Sequence, residues 1–427
     1  MIKNGSIVTM DEFHRIIENG AIYIEDQWIR DIGNTRNVEK AHRADIVIDA
    51  ADSVVMPGLI NLHVHFASSL MRGVEDDLPL EQWLSKQPPP GYMSEEWTTT
   101  ASRLMCLEMI KAGVTCYLNG AMEGKRAEID ERYRSGLRGF LAFLIQNKIE
   151  DYGGILQFIQ NKRYSDRLQL MLGPWWVPKV SEGTLRQVRD ISEKNNLKIR
   201  IHVAESLSEI QQIRKKHRCE GSIEYLDKLD LLSPRLIAVH CIHVSPSEIN
   251  MIKRKGVGVV HCPTSNAKLG DGIAPLTEFI KAGITVGLGS DGVATNNCID
   301  IFQEMKLACL LQRAVHHNPR VIRAEDVLRM ATINGAKLLG IDNKIGSLEI
   351  GKKADIIILD FRKPHLYPRT NIISHIVYSS SASDVNTTIV DGKILMRNRE
   401  VLTLEEFAVL EKAQEIYQTS YPEKTPS

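Results

Sequence analysis

"PGLINLHVHFASSLMRG", residues 57–73, ends an apolar run on two histidines, His63 and His65, set either side of Val64. In an extended strand, residues i and i+2 point to the same face, so this spacing aims two imidazoles in one direction at a strand end. Two neutral imidazoles side by side are half of a metal site. The other reading is an ordinary strand with two satisfied polar residues. The rest of the chain decides between them, by whether further donors stand at equivalent places.

From residue 55 onward there are eight apolar runs: "VMPGLINLHVH", "VTCYLNGA", "GFLAFLIQ", "LQLMLGPWW", "KIRIHVAE", "LIAVHCIH", "GVGVVHCP" and "ITVGLGSD". Most are separated by segments with room for a helix, such as "SEEWTTTASRLMCLEMIKAG", where Ser94 is an N-cap candidate and Gly113 a stop. Near-continuous apolar strands alternating with helices imply a parallel sheet covered on both faces, and eight units are what a (β/α)8 barrel needs. His63, His65, His202, Glu205, His240, His261 and Asp291 all fall at or just past the C-terminal ends of these runs. In barrel enzymes that face carries the active site.

The first 56 residues read instead as short strands separated by turns, and β-texture returns after about residue 345, with Asp391-Gly392 as a hairpin turn. The expected architecture is therefore α/β. A (β/α)8 barrel over 57–345 is joined to a small β-sandwich built from 1–56 and 346–400, and 401–427 forms a C-terminal helix and a frayed tail.

Composition narrows the partners. Lys plus Arg equals Asp plus Glu, 53 each, so no basic face invites nucleic acid and no polybasic tail invites a membrane. No apolar run approaches the roughly 18 residues that span a bilayer, and the N-terminus has neither an h-region nor a cleavage site. Seven cysteines with no CxxC spacing, mostly inside apolar runs, suit buried thiols of a cytoplasmic protein. Cys241 and Cys262 lie beside histidines and are further candidates for soft metal ligands.

His63, His65, His202 and Asp291 together offer three nitrogens and a carboxylate, a set that suits one Zn2+, with Fe2+ as the alternative. An ion there lowers the pKa of a bound water enough to give hydroxide near neutrality. Attack on an sp2 carbon then needs proton transfer and charge stabilisation. Asp291 is placed as ligand and proton acceptor, and Glu205 as the proton shuttle, its other reading being a solvated charge opening the next helix. His240 is placed to polarise the tetrahedral species, with His243 of the same "VHCIH" as its rival.

The chain resembles the amidohydrolase superfamily, nearest the branch of S-adenosylhomocysteine/methylthioadenosine deaminases and triazine hydrolases. The matching stretches are "PGLINLHVH" (57–65), "RGVEDDLPLEQWL" (72–84), "HVAES" (202–206), "VHC" (239–241), "HCPTSNAKLGDGIAPL" (261–276), "GLGSDGVATNNCIDIFQEMKLACLLQR" (287–313), "ATINGAKLLG" (331–340) and "GSLEIGKKADIIILD" (346–360). The resemblance implies the same four ligands, with Glu205 and His240 as acid/base partners. Two-metal relatives carry a bridging lysine at the fourth strand end, where this chain reads "LGPWWVP", so one metal is expected.

Two departures bear on the substrate. Nucleoside deaminases of the branch usually have a "GPHxPY"-like stretch whose histidine helps hold the ribose; here Trp175 and Trp176 stand instead. They also usually have a glutamate after the tryptophan of "EQWL", whereas the loop after Trp83 is "SKQPPPGYM", without an acid. Trp83, Trp175 and Trp176 are expected to stack on a flat heteroaromatic ring or an apolar group, the alternative for Trp175 and Trp176 being packing under a helix. The leading expectation is a metal-dependent aminohydrolase releasing ammonia from an amidine-like carbon of a small N-heterocyclic molecule. The alternatives are hydrolysis of another C–N bond or of a C–halogen bond, and, more remotely, a non-catalytic scaffold. Barrels with such appended domains often pair, so a homo-oligomer is a further expectation, with no exposed stripe to carry it.

Overall fold

The structure, a computed structural model, describes residues 1–86, 88–122, 126–146, 149, 164 and 167–422. Five short strands come first: β1 (Ile2–Val8), β2 (Ile16–Glu25), β3 (Trp28–Asn34), β4 (Ile48–Asp49) and β5 (Ser53–Pro57). The chain then runs through β6 (Leu59–Val64), β7 (Val114–Met122), β8 (Arg138–Ile145), β9 (Leu168–Pro174), β10 (Ile199–Val203), β11 (Leu236–His240), β12 (Gly258–His261) and β13 (Val286–Leu288). It returns to β-structure in β14 (Ile356–Asp360), β15 (Val385–Val390), β16 (Lys393–Arg397) and β17 (Glu400–Val401).

Strands β6 to β13 pair in sequence order, and every pair is parallel. All eight apolar runs of the sequence are in this sheet. The two edge strands then meet through side chains and backbone: Asn61 Nδ2 donates to Ser290 Oγ (2.7 Å), Ser290 N to Asn61 Oδ1 (3.0 Å), and Asp291 N to the His63 carbonyl (2.8 Å). The result is a nearly closed barrel. Alternation along β6 sorts its residues. Ile60 and Leu62 pack with Ala336 and Leu338 of the helix Ile333–Leu339, which leaves Asn61 and His63 on the opposite, inner face.

Helices cover the outside and start where serines cap them. Ser94 Oγ accepts from Trp97 N (3.1 Å) to open the helix Glu95–Lys111, and Ser206 Oγ accepts from Glu209 N (3.2 Å) to open Leu207–His217. Trp97, Ala101 and Met105 of the first of these are buried, as their spacing predicts. No described helix is long and apolar enough to cross a membrane.

The terminal segments share one nine-stranded mixed sheet, joined where β5 pairs antiparallel with β14, Pro57 opposite Ile356. Asp391 and Gly392, both at positive φ, make the turn between β15 and β16. A buried ion pair fastens this sheet to the barrel. Arg138, first residue of β8, donates to both oxygens of Asp355 (2.9 and 3.1 Å) and to Asp391 Oδ1 (2.6 Å). Arg138 and Asp355 are almost wholly shielded from solvent. Removing the guanidinium strands the buried Asp355 charge beside Asp391, so Arg138→Ala is expected to cost about 3–5 kcal/mol, read as a lowered urea midpoint.

Candidate metal centre

The strand ends bring His63, His65, His202, Glu205, His240 and Asp291 to one place. Nε2 of His63 lies 3.1 Å from Nε2 of His65, and the two are 3.2 and 3.3 Å from Asp291 Oδ1. The His63, His65 and His202 rings sit with centroids 4.7 to 5.5 Å apart. Donor atoms of His63, His65 and His202 lie within 4.8 Å of one another, as do those of His63, His240 and Asp291. The backbone is strained to aim them: His240 (φ 74°) and Asp291 (φ 62°) both adopt the left-handed conformation as their strands end. Close approach also needs glycine. A Cβ on Gly120 of β7 would lie 2.6 Å from His65 Cε1 and 2.8 Å from His63 Cε1.

The supporting bonds fix which lone pairs face inward. His202 Nδ1 bonds the Trp175 carbonyl, which leaves Nε2 as the acceptor. His240 Nδ1 donates to Asn266 Oδ1 (2.9 Å), and His240 Nε2, buried and without a hydrogen-bond partner among the described residues, faces Glu205 Oε1 at 3.4 Å. Burial, and then the Arg200 guanidinium, push His63 and His202 well below the usual histidine range, so both rings are neutral. Burial alone would raise the Asp291 carboxyl, but interaction with His63 and His65 holds it well below the usual carboxylate range. Ser265 Oγ (2.7 Å) and Gly292 N (2.8 Å) each donate to one of its oxygens. Neutral imidazoles, a carboxylate and an orphaned inward lone pair fit a divalent cation.

Glu205 stands just beside this set. Burial, then Asp291 and Glu209, raise its carboxyl well above the usual range. His243 turns away, its Nε2 bonded to the Asp271 carbonyl (2.8 Å). His261 is buried, with burial pushing it down to about 3. Cys241 and Cys262 are buried thiols pushed upward by burial, and among the described residues neither belongs to a cluster of converging donors. Above the site opens a cavity of about 520 Å3, lined by Trp83, Trp175, Trp176, Leu144, Met71 and Leu269 among others. Trp176 is only 5% exposed, and its indole Nε1 donates to Glu209 Oε2 (2.7 Å).

Four contributors are not singled out by sequence reasoning. Asn61 and Arg200 each lie two residues before a histidine on the same strand face, so the alternation that finds His65 also points to them. Glu209 accepts from Ala204 N (2.7 Å) and Glu205 N (3.0 Å), pinning the loop that carries Glu205; its place in a helix's first turn disguises it. Tyr421, in the segment expected to fray, lines the cavity, while 423–427 lie outside the described residues.

Residues 54–395 match the model of the amidohydrolase family. The chain belongs to the amidohydrolase family. It is 39% identical to the 5'-deoxyadenosine deaminase of Methanosarcina mazei, over 97% of this chain and 96% of the relative. To the 5-methylthioadenosine/S-adenosylhomocysteine deaminase of Desulforamulus reducens it is 35% identical, over 97% of each. Among solved structures, an adenosine deaminase from Xanthomonas campestris with bound zinc superposes with a TM-score of 0.93 at 26% identity, covering 98% of this chain and 97% of that one. This amidohydrolase is a hydrolytic enzyme acting on C–N bonds, a metal-dependent deaminase of a small molecule, in line with the deaminase relatives and the zinc-bound neighbour.

Proposed function

We propose that this amidohydrolase removes the amino group from the purine ring of an adenosine derivative whose 5′ side is apolar. In this reading one zinc ion is held by His63, His65, His202 and Asp291, and Glu205 and His240 move the protons. The observation that carries it is the placement of a raised Glu205 carboxyl and an unpartnered His240 Nε2 beside the donor cluster, beneath an aromatic cavity. The names of the relatives support an adenosine derivative. Departures from the nucleoside pattern at Trp175, Trp176 and the loop after Trp83 then concern how the sugar is held. Flat apolar faces of Trp83 and Trp175 suit a purine and a 5′ substituent without charge.

A divalent ion in this donor set acidifies water so that a nucleophile is available near neutral pH. The protein's own groups do the rest. Glu205, protonated because it is buried among other acids, gives its proton to the ring nitrogen beside the carbon under attack. His240 Nε2 takes the proton of the attacking water. The resulting imidazolium hydrogen bonds the oxygen now joined to the ring. As the tetrahedral carbon collapses, His240 returns its proton to the departing amino group, ammonia leaves, and Glu205 recovers a proton from the hydroxyl. Asp291 was expected to be ligand and proton acceptor; both its oxygens are engaged by Ser265 and Gly292, which favours the ligand role. A reducing, cytoplasmic setting is supported by seven free cysteines, all but Cys298 buried.

The test is ammonia release by zinc-loaded enzyme from 5'-deoxyadenosine, 5-methylthioadenosine, adenosine, adenine and an aminotriazine. The expected result is a kcat/KM for the two 5′-modified adenosines at least tenfold above that for adenine. Preference for the free base or the triazine would overturn the nucleoside assignment.

A further inference from the structure

Arg200 lies on β10 two residues before His202, on the same inner face and one step deeper in the barrel. Its side chain is fully buried. Nη2 lies 3.0 Å from His63 Nε2 and 3.1 Å from His63 Nδ1, and it also contacts His202 Nε2. Nε and Nη1 have no hydrogen-bond partner among the described residues. A guanidinium in the barrel floor thus rests against the His63 ring, contacts the inward nitrogen of His202 that a metal ion needs, and leaves its other donors unsatisfied. Burial lowers its pKa to about 9, against the electrostatic support of Asp291.

We propose that Arg200 is an internal cation that competes with the divalent ion, for the inward nitrogen of His202 directly and through its charge against the His63 ring. It keeps the ligand cluster in place without an ion and makes the bound ion weakly held and exchangeable. The proposal rests on the metal-site reading given above. With the guanidinium on the histidines, its charge balances that of Asp291, so the buried cluster is neutral and stays folded. A divalent ion changes the balance: the guanidinium must surrender its imidazole contacts and then face a dication across a short, low-dielectric gap, and both effects oppose binding. An uncharged side chain of similar length removes both.

The experiment is a zinc titration against a chromophoric chelator for wild type, Arg200→Met and Arg200→Gln, with folding checked by circular dichroism and melting recorded with and without zinc. Zinc affinity is expected to rise at least tenfold in both variants. The zinc-induced rise in Tm is expected to be larger than in wild type, because the metal-free variants lose the cation that balances Asp291. Arg200→Gln keeps hydrogen-bonding capacity and covers the case in which Arg200→Met does not fold. Equal or weaker affinity in a folded variant would overturn the competition while leaving the metal site standing. Zinc binding by none of the three would remove the metal-site reading and the inference with it.

Discussion

Replacing Glu205 with Gln is expected to lower kcat by about a thousandfold while zinc content stays at the wild-type level. The substitution keeps size and shape but removes the one acidic proton that the site can deliver to a ring nitrogen. Glu205 is held for that task. Burial, Asp291 and Glu209 raise its carboxyl, and Glu209 fixes its backbone through two N–H bonds. It belongs to neither group of converging donors, so its loss should leave the ion in place. Single-turnover ammonia release together with metal analysis separates the two effects. Turnover near wild type would refute the acid/base assignment, and loss of zinc would make Glu205 part of the metal's support.

Gly120→Ala is expected to weaken zinc binding about 10–100-fold, although residue 120 touches no ion. The added Cβ would press on Cε1 of both His63 and His65, closer than carbon atoms tolerate. The rings have little room to retreat: His63 is wholly buried, with Arg200, His202 and Asp291 against it. They must therefore rotate, and a misplacement of about 1 Å in such a constellation costs on the order of 10²-fold in rate. Chelator competition with a melting curve checks this. Unchanged affinity in a normally melting variant would show that β7 shifts to absorb the methyl group.

The barrel is legible in the sequence because its strands are buried on both faces, which writes each as an uninterrupted apolar run. The site is legible because its donors stand at the ends of those runs; His63, His65, His202, His240 and Asp291 all declare themselves this way. Arg200 does not. A charge inside "KIRIHV" reads as a surface strand residue until closure of the barrel turns that face inward. Glu209 hides for the opposite reason, since an acid in a helix's first turn is ordinary. Alternation gives the inward face of Asn61, but its partner Ser290 across the seam lies 229 residues away, a pairing that no local pattern encodes. Tyr421 reaches the cavity only because the helix Glu406–Ser420 packs its Ala413 and Ile416 on Leu70 and Trp97.

The pairing of β5 with β14 has a topological meaning. Pro57 and Ile356 sit side by side, so the chain leaves for the barrel and comes back at almost the same point. The barrel is in effect a very long loop tied at its base, and the entropy of closing that loop is met once, when the terminal sheet zips. Unzipping the sheet frees the first barrel strand and the helices after the last one together. The two parts are therefore expected to unfold in one transition, with the terminal sheet as the tie that holds both ends of the barrel segment together.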